Sequence, residues 1–263
     1  MILSRRVALN GAQLDEIDEL GRIVVGAIEE QDGSEAVTTT PLARGNGQRV
    51  TDMRRNTLDV TVHFSLWIHK EDLQARAELL EKVNAWAAGA NNGTLTVNYR
   101  PDRQLKVMLA QAPGGHDMRA WTNDYTITFR AYTSPFWEDA AELKAYSPIA
   151  ASGAMWFPVS GNTSTFADVT VTNRSGMLLN NIRVTVAGQT MSVNVSLNAG
   201  ESLVIEHLDN GKYRFLRVRK GESSVLHLVT GADDFVVQPG QNHLSFSASR
   251  AVQVTVSTRG RYL

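Results

Sequence analysis

From Phe166 onward the chain breaks into short runs suited to β-strands. They are Phe166–Thr172, Ile182–Ala187, Met191–Leu197, Ser202–Glu206, Tyr213–Val218, Val225–Val229, Phe235–Val237, His243–Ala248 and Val252–Thr258. Turn chemistry separates most of them: Asn173-Arg174-Ser175-Gly176, Gly188, Ala199-Gly200, Asp209-Asn210-Gly211, Gly221 and Pro239-Gly240. Short strands at even spacing with Gly and Asn turns predict an antiparallel β-sandwich with no helix. Its core would take alternate residues such as Val169 and Val171, Val184 and Val186, Leu226 and Leu228, and Leu244 and Phe246.

The first half follows a different rule. Leu58, Val60, Val62, Phe64, Leu66 and Ile68 alternate with Thr57, Asp59, Thr61, His63, Ser65 and Trp67, the pattern of a strand with one buried face. The period then changes. Leu73, Ala77, Leu80, Val83 and Ala87 fall at helical spacing, which predicts one helix over about 71–88, opened by Glu71 and Asp72 and closed by Gly89. Strands follow at Thr94–Tyr99, Leu105–Gln111 and Asn123–Tyr132, and the β-branched Ile23-Val24-Val25 favours another strand.

Charge also divides the chain. Residues 1–138 carry 15 Lys+Arg and 18 Asp+Glu, a net of −3, whereas residues 139–263 carry 11 and 9, a net of +2. With the small residues and proline of 147–154, which read as a linker, this places a domain boundary at about 140/141. The expected organisation is therefore mainly β. A domain over 1–140, with one α-helix and an extended arm, precedes a β-sandwich domain over 141–263. The sandwich, isolated as 150–263, is expected to fold alone as a monomer.

Residues 29–55 form the arm. They are polar, with Thr38, Thr39, Thr40, Gln48 and Arg49, and offer little apolar surface with which to pack on their own domain. Strand addition onto a neighbouring subunit would satisfy their backbone groups. Arg44, Arg49, Arg54 and Arg55 could then meet acidic groups on that subunit.

Chemistry is scarce. There is no cysteine, which removes disulfides, thiol catalysis and cysteine zinc sites. A formal net charge of −1 disfavours a general nucleic-acid binder. No apolar run approaches a membrane span, and no secretory signal is expected. The six histidines show no metal-ligand spacing, and no nucleophile elbow or phosphate loop occurs. Asp233-Asp234 reads as a turn. The expectation is no enzyme, no cofactor and no metal. Because the last of the five tryptophans is Trp156, the sandwich is also expected to lack the exposed indole that a sugar site uses, and to bind no simple sugar.

Several segments, in order, resemble the distal tail proteins (Dit family) of long, non-contractile-tailed bacteriophages and prophages. They are Ser134-Pro135-Phe136-Trp137-Glu138, Asn173-Arg174-Ser175-Gly176, Gly200–Glu206, Gln238-Pro239-Gly240-Gln241-Asn242 and Thr258-Arg259-Gly260-Arg261-Tyr262. The resemblance implies a structural virion protein at the distal end of the tail, made in the bacterial cytoplasm. It implies a homohexameric ring built by the N-terminal domain and its arm, with a galectin-like C-terminal sandwich. The implied partners are the tail tube protein and the tail-tip hub or tail-associated protein, with the tape measure protein a further candidate. Glu206 departs from the aspartate common in the family. Two other readings stand beside it: a carbohydrate-binding module or adhesin-like protein recognising cell-surface glycan, and a subunit of a tail-derived bacterial apparatus.

Overall fold

A computed structural model describes residues 5–32, 35–41, 48–55, 57–69, 71–117, 122–209 and 214–263. The chain divides into two compact units. One is built on the chain up to Phe136, the other on Trp137–Asp209 and Arg214–Leu263.

The first unit contains β1 (Val7–Leu9), β2 (Ala12–Gln13), β3 (Ile23–Asp32), β4 (Glu35–Pro41), β5 (Gln48–Arg55) and β6 (Leu58–Trp67). Helix α1 (Leu73–Ala88) and β7 (Gly93–Val97), β8 (Arg100–Asp117) and β9 (Thr122–Ala131) complete it. Its main sheet runs β2-β1-β7-β8-β9-β6-β3, and among the described residues β4 and β5 pair only with each other. The alternation of β6 holds residue by residue, with Leu58, Val60, Val62, Phe64 and Leu66 buried. Directly opposite in β9 lie Ala131, Phe129, Ile127 and Tyr125.

Helix α1 starts where expected but presents a different stripe. Asp72 caps it by accepting a hydrogen bond from the Ala75 amide (3.1 Å). The buried positions are Arg76, Leu79, Val83, Trp86 and Ala87, whereas Leu73 is 68% exposed. Trp86 decides the orientation. Its indole is the largest apolar group on the helix, packs edge-on against Phe129 (centroids 5.7 Å apart) and donates to the Ala12 carbonyl (2.8 Å).

Ahead of β3, Leu14–Glu16 forms a short 3-10 turn. Beside it Asp18, 3% exposed, takes a bidentate pair from Arg22 (2.8 and 3.0 Å) and the Arg22 amide (3.1 Å). The Arg22 hydrogen bonds hold the Asp18 carboxyl below its ordinary value against the opposing effect of burial. A lowered folded-state pKa stabilises the fold above the unfolded value and loses that contribution as pH falls through the folded value. Asp18→Asn is expected to cost about 1–2 kcal/mol at pH 7, the lower part of the range for charged hydrogen bonds because Arg22 stays partly wet. Urea unfolding should show the gap to the parent chain narrowing as pH is taken below the carboxylate range. A gap independent of pH would contradict the assignment.

The second unit contains β10 (Trp137–Asp139), β11 (Leu143–Tyr146), β12 (Ala150–Val159), β13 (Thr165–Asn173), β14 (Ile182–Val186) and β15 (Gln189–Val193). It continues with β16 (Ser202–Asp209), β17 (Arg214–Lys220), β18 (Ser223–Ser224), β19 (Val229–Gly231), β20 (Val236–Val237), β21 (Gly240–Thr258) and β22 (Arg261–Tyr262). The runs His243–Ala248 and Val252–Thr258 are two halves of the single strand β21. Its first half pairs with β12 and β14, its second with β11 and β13. β21 thus links the two layers, and the curled sheet closes over a core that includes Phe157, Val169, Val171, Val184, Leu244 and Val254.

Three expectations need correction here. Leu226–Leu228 is a 3-10 turn, not a strand, and Leu226 is exposed, so only Leu228 of that pair packs on the core. Residues 150–154 are not a linker: they belong to β12 and pair with β21, and Ser147 is buried. Trp156 lies in β12, so the sandwich does carry a tryptophan, and it is 69% exposed. Composition hid this because alternation places Phe157 in the core and therefore turns its neighbour outward.

Candidate functional site

The arm is a β-ribbon. β3 pairs with β6 from Ile23↔Leu66 to Asp32↔Leu58, and β4 with β5 from Glu35↔Arg55 to Pro41↔Gln48. The pairing keeps one register from Ala27↔His63 through Thr38↔Asp52, so the ribbon continues the β3–β6 hairpin. A bulge at Gly26 and a shift after Thr38 interrupt it, and such irregularities bend and twist a ribbon.

Thr38, Thr39 and Thr40 lie on β4, and Gln48, Arg49, Arg54 and Arg55 on β5. Thr38 faces Asp52, Thr39 faces Val50, and Thr40 faces Arg49 in register. Arg44 lies outside the described residues. Among the described residues neither outer edge of β4–β5 has a strand partner, and β3 ends the main sheet. Open edges of this kind are templates for pairing with another chain.

The root of the ribbon is tied down by side chains that sequence reasoning did not bring together. Glu30 on β3 accepts from the Tyr99 hydroxyl (2.7 Å) and from Nε and Nη2 of Arg100 (3.2 Å each). Partial burial and the Glu30 hydrogen bond push the Tyr99 phenol above its ordinary range. Arg5, Ile28, Glu30, Asn98, Tyr99 and Arg100 line a depression of about 580 Å³ there. Across the next strands Asp59 holds Arg130 in a two-point ion pair (2.6 Å each), with the guanidinium over the Tyr132 ring (5.8 Å). His63 approaches Glu29 at 3.4 Å, and the Thr61 and Thr128 hydroxyls meet at 3.1 Å. Alternation in β6 placed Asp59, Thr61 and His63 on the polar face. Their partners, 34 to 71 positions away in sequence, had no local signal.

In the second unit His207, with its side chain 4% exposed, lies between two carboxylates: Nδ1 is 2.9 Å from Asp168 and Nε2 3.0 Å from Asp234. Its ring stacks on Phe166 (4.5 Å), which also carries the Arg261 guanidinium (5.1 Å). Asp234 therefore does more than shape a turn: it holds a buried imidazole. No group of three or more metal-ligating side chains is found among the described residues.

These features define a mainly β chain of two units, with large antiparallel sheets, one α-helix among the described residues and a ribbon extending the first sheet. That is the fold of SPP1 Dit, whose crystal structure is described as a paradigm of the hub adsorption apparatus in phages infecting Gram-positive bacteria. The two share 11% identity and a TM-score of 0.73 over 98% of this chain and 99% of that one. The phage p2 baseplate in its activated conformation with strontium also aligns, at 7% identity and a TM-score of 0.44 over 97% of both chains. No family model matches the sequence. No curated protein matches it either.

Proposed function

We propose that the chain is a distal tail protein: a structural, non-catalytic component of a phage tail tip. The observation that carries this reading is the β-ribbon on a fold shared along nearly the whole chain with SPP1 Dit. In this reading six copies close into a ring through their N-terminal units. The ribbon of each copy lies on its neighbour, where pairing by strand addition leaves no open edge at the joint. The ring joins the tail tube protein to the tail-tip hub or tail-associated protein, with the tape measure protein a further contact, and the second unit is the galectin-like sandwich domain. The virion of a long, non-contractile-tailed phage is then its place.

Negative-stain images of the purified protein test the proposal. Closed rings with sixfold symmetry are the expected result, and monomers at all concentrations would overturn it. The arm arginines Arg49, Arg54 and Arg55 would make rim ion pairs, each worth about 0–1 kcal/mol. Any one of them changed to Ala should therefore leave the ring populated in analytical ultracentrifugation. Collapse to monomer from a single such change would show that charge, rather than backbone pairing, holds the joint.

A further inference from the structure

The outward face of the layer formed by β12, the first half of β21, β14, β15 and β19 carries a polar trough with an indole at one end. Inward positions in this layer, such as Phe157, Leu244, Phe246, Val184 and Met191, fill the core. The cross-strand register then fixes which residues share the outer face. Trp156 stands opposite His243, and the rings tilt against each other with centroids 4.8 Å apart. The next outward row is Ala154, Ser245, Thr185 and Thr190. The row after that is Ser152, Ser247, Arg183, Ser192 and Thr230.

The shape of the trough follows from side-chain size. Ser152, Ala154, Ser245 and Ser247 are small and keep the floor low, while Trp156 rises at one end. At the other end Asn181, Arg183, Ser192, Asn194, Thr230 and Ser247 line a depression of about 360 Å³, with Ile182, Val193 and Leu228 adding apolar atoms to its wall. From the Trp156 row to the Arg183 row is four residues along β21, roughly 13 Å at strand rise. Arg183 donates from Nε to the Ser192 hydroxyl at 3.3 Å, and no carboxylate among the described residues pairs with it.

The chemistry selects the ligand. Hydroxyls, two carboxamides and a guanidinium supply both donors and acceptors in a shallow site. The exposed indole offers a flat apolar face. A protein partner would call for several large exposed apolar anchors, and in these rows only Trp156 is one, with Leu228 half-buried in the depression. A nucleic acid would call for a cluster of cations, and Arg183 is the one fixed charge in these rows. Alternating hydroxyls on a ring with an apolar face answer all of these features together.

We propose that this trough binds a saccharide chain, with a sugar ring on Trp156 and hydroxyls of a further ring held by Arg183, Asn181 and Asn194. The site reverses the expectation, drawn from tryptophan count, that the sandwich binds no sugar. It is independent of the ring reading, because its residues all belong to the second unit.

The test uses the full chain on a microarray of bacterial and animal oligosaccharides, followed by calorimetric titration of each hit as the free sugar. Trp156→Ala and Arg183→Ala are made in the same chain. Both positions are exposed, so both variants should keep the circular dichroism and melting curve of the parent. The expected result is at least one saccharide whose affinity falls about tenfold or more in Trp156→Ala and measurably in Arg183→Ala. No hit on the array would overturn the proposal. So would a hit whose affinity neither variant changes, because the sugar would then sit elsewhere.

Discussion

Replacing residues 38–49 by a short Gly-Ser linker is expected to leave a folded chain that cannot form the proposed ring. Among the described residues β4 and β5 satisfy each other along one edge only. The outer edge of each carries backbone donors and acceptors that water serves in a monomer and a neighbouring strand would serve in a ring. Strand addition repeated at every joint of a closed ring multiplies a modest pairing energy, which is why one deletion should remove assembly when single arginine changes do not. The fold should survive, because the buried residues of the first unit include Val60, Val62, Phe64, Ile127, Phe129 and Trp86, all outside 38–49. Size-exclusion chromatography with light scattering should report monomer for the variant and hexamer for the parent. A hexamer from the linker variant would assign the joint to other surfaces, and the open edge of β3 would be the next to test.

How much of this was legible in the sequence depended on whether the signal was local. The strand at β6 was plain, because alternation is set by the buried face alone and Leu58 to Leu66 obey it without exception. The helix was also plain, but its buried stripe was not. Leu73, Ala77 and Leu80 fit helical spacing as well as Arg76, Leu79 and Trp86 do, and the tie was broken by Phe129, which arrives from β9. The ribbon was legible as a polar extended segment, whereas its register with β6 was not. The Glu30–Tyr99–Arg100 anchor and the Asp168–His207–Asp234 bridge join residues far apart in sequence, and neither follows from spacing. Trp156 is the instructive failure. Counting tryptophans only among the strands predicted from Phe166 onward hid the residue, although its neighbour Phe157 on the alternate face was enough to point it outward.

The start of the second unit at Trp137 leads to the last prediction. A fragment beginning at residue 150 is expected to be far less stable than one beginning at Trp137. Residues 137–149 are woven into the second unit at its C-terminal end. Leu143–Tyr146 pairs with Thr255–Thr258 of β21. Ser147 then exchanges bonds with Val254, donating from its amide (2.8 Å) and accepting at its hydroxyl (2.9 Å). Asp139 donates its amide to the Gly260 carbonyl and accepts from the Gly260 amide, while its carbonyl takes a bond from Arg259 (2.9 Å). Glu138 pairs with Arg261 at 3.0 Å, with side chains 13% and 8% exposed. Starting at 150 removes Glu138 and leaves that guanidinium buried without its carboxylate. Stripping one partner from a buried pair costs about 3–5 kcal/mol, and the lower figure applies because the truncation also admits water. Loss of the β11 ladder adds to it. Against a typical domain stability of about 5–15 kcal/mol, the fragment 150–263 should be marginal at 37 °C. Fragment 137–263 should melt cooperatively, about 10 °C or more above the shorter one. Thermal unfolding of the two side by side decides it. Equal melting temperatures would show that the N-terminal segment of this unit only lies along β21 and does not hold it.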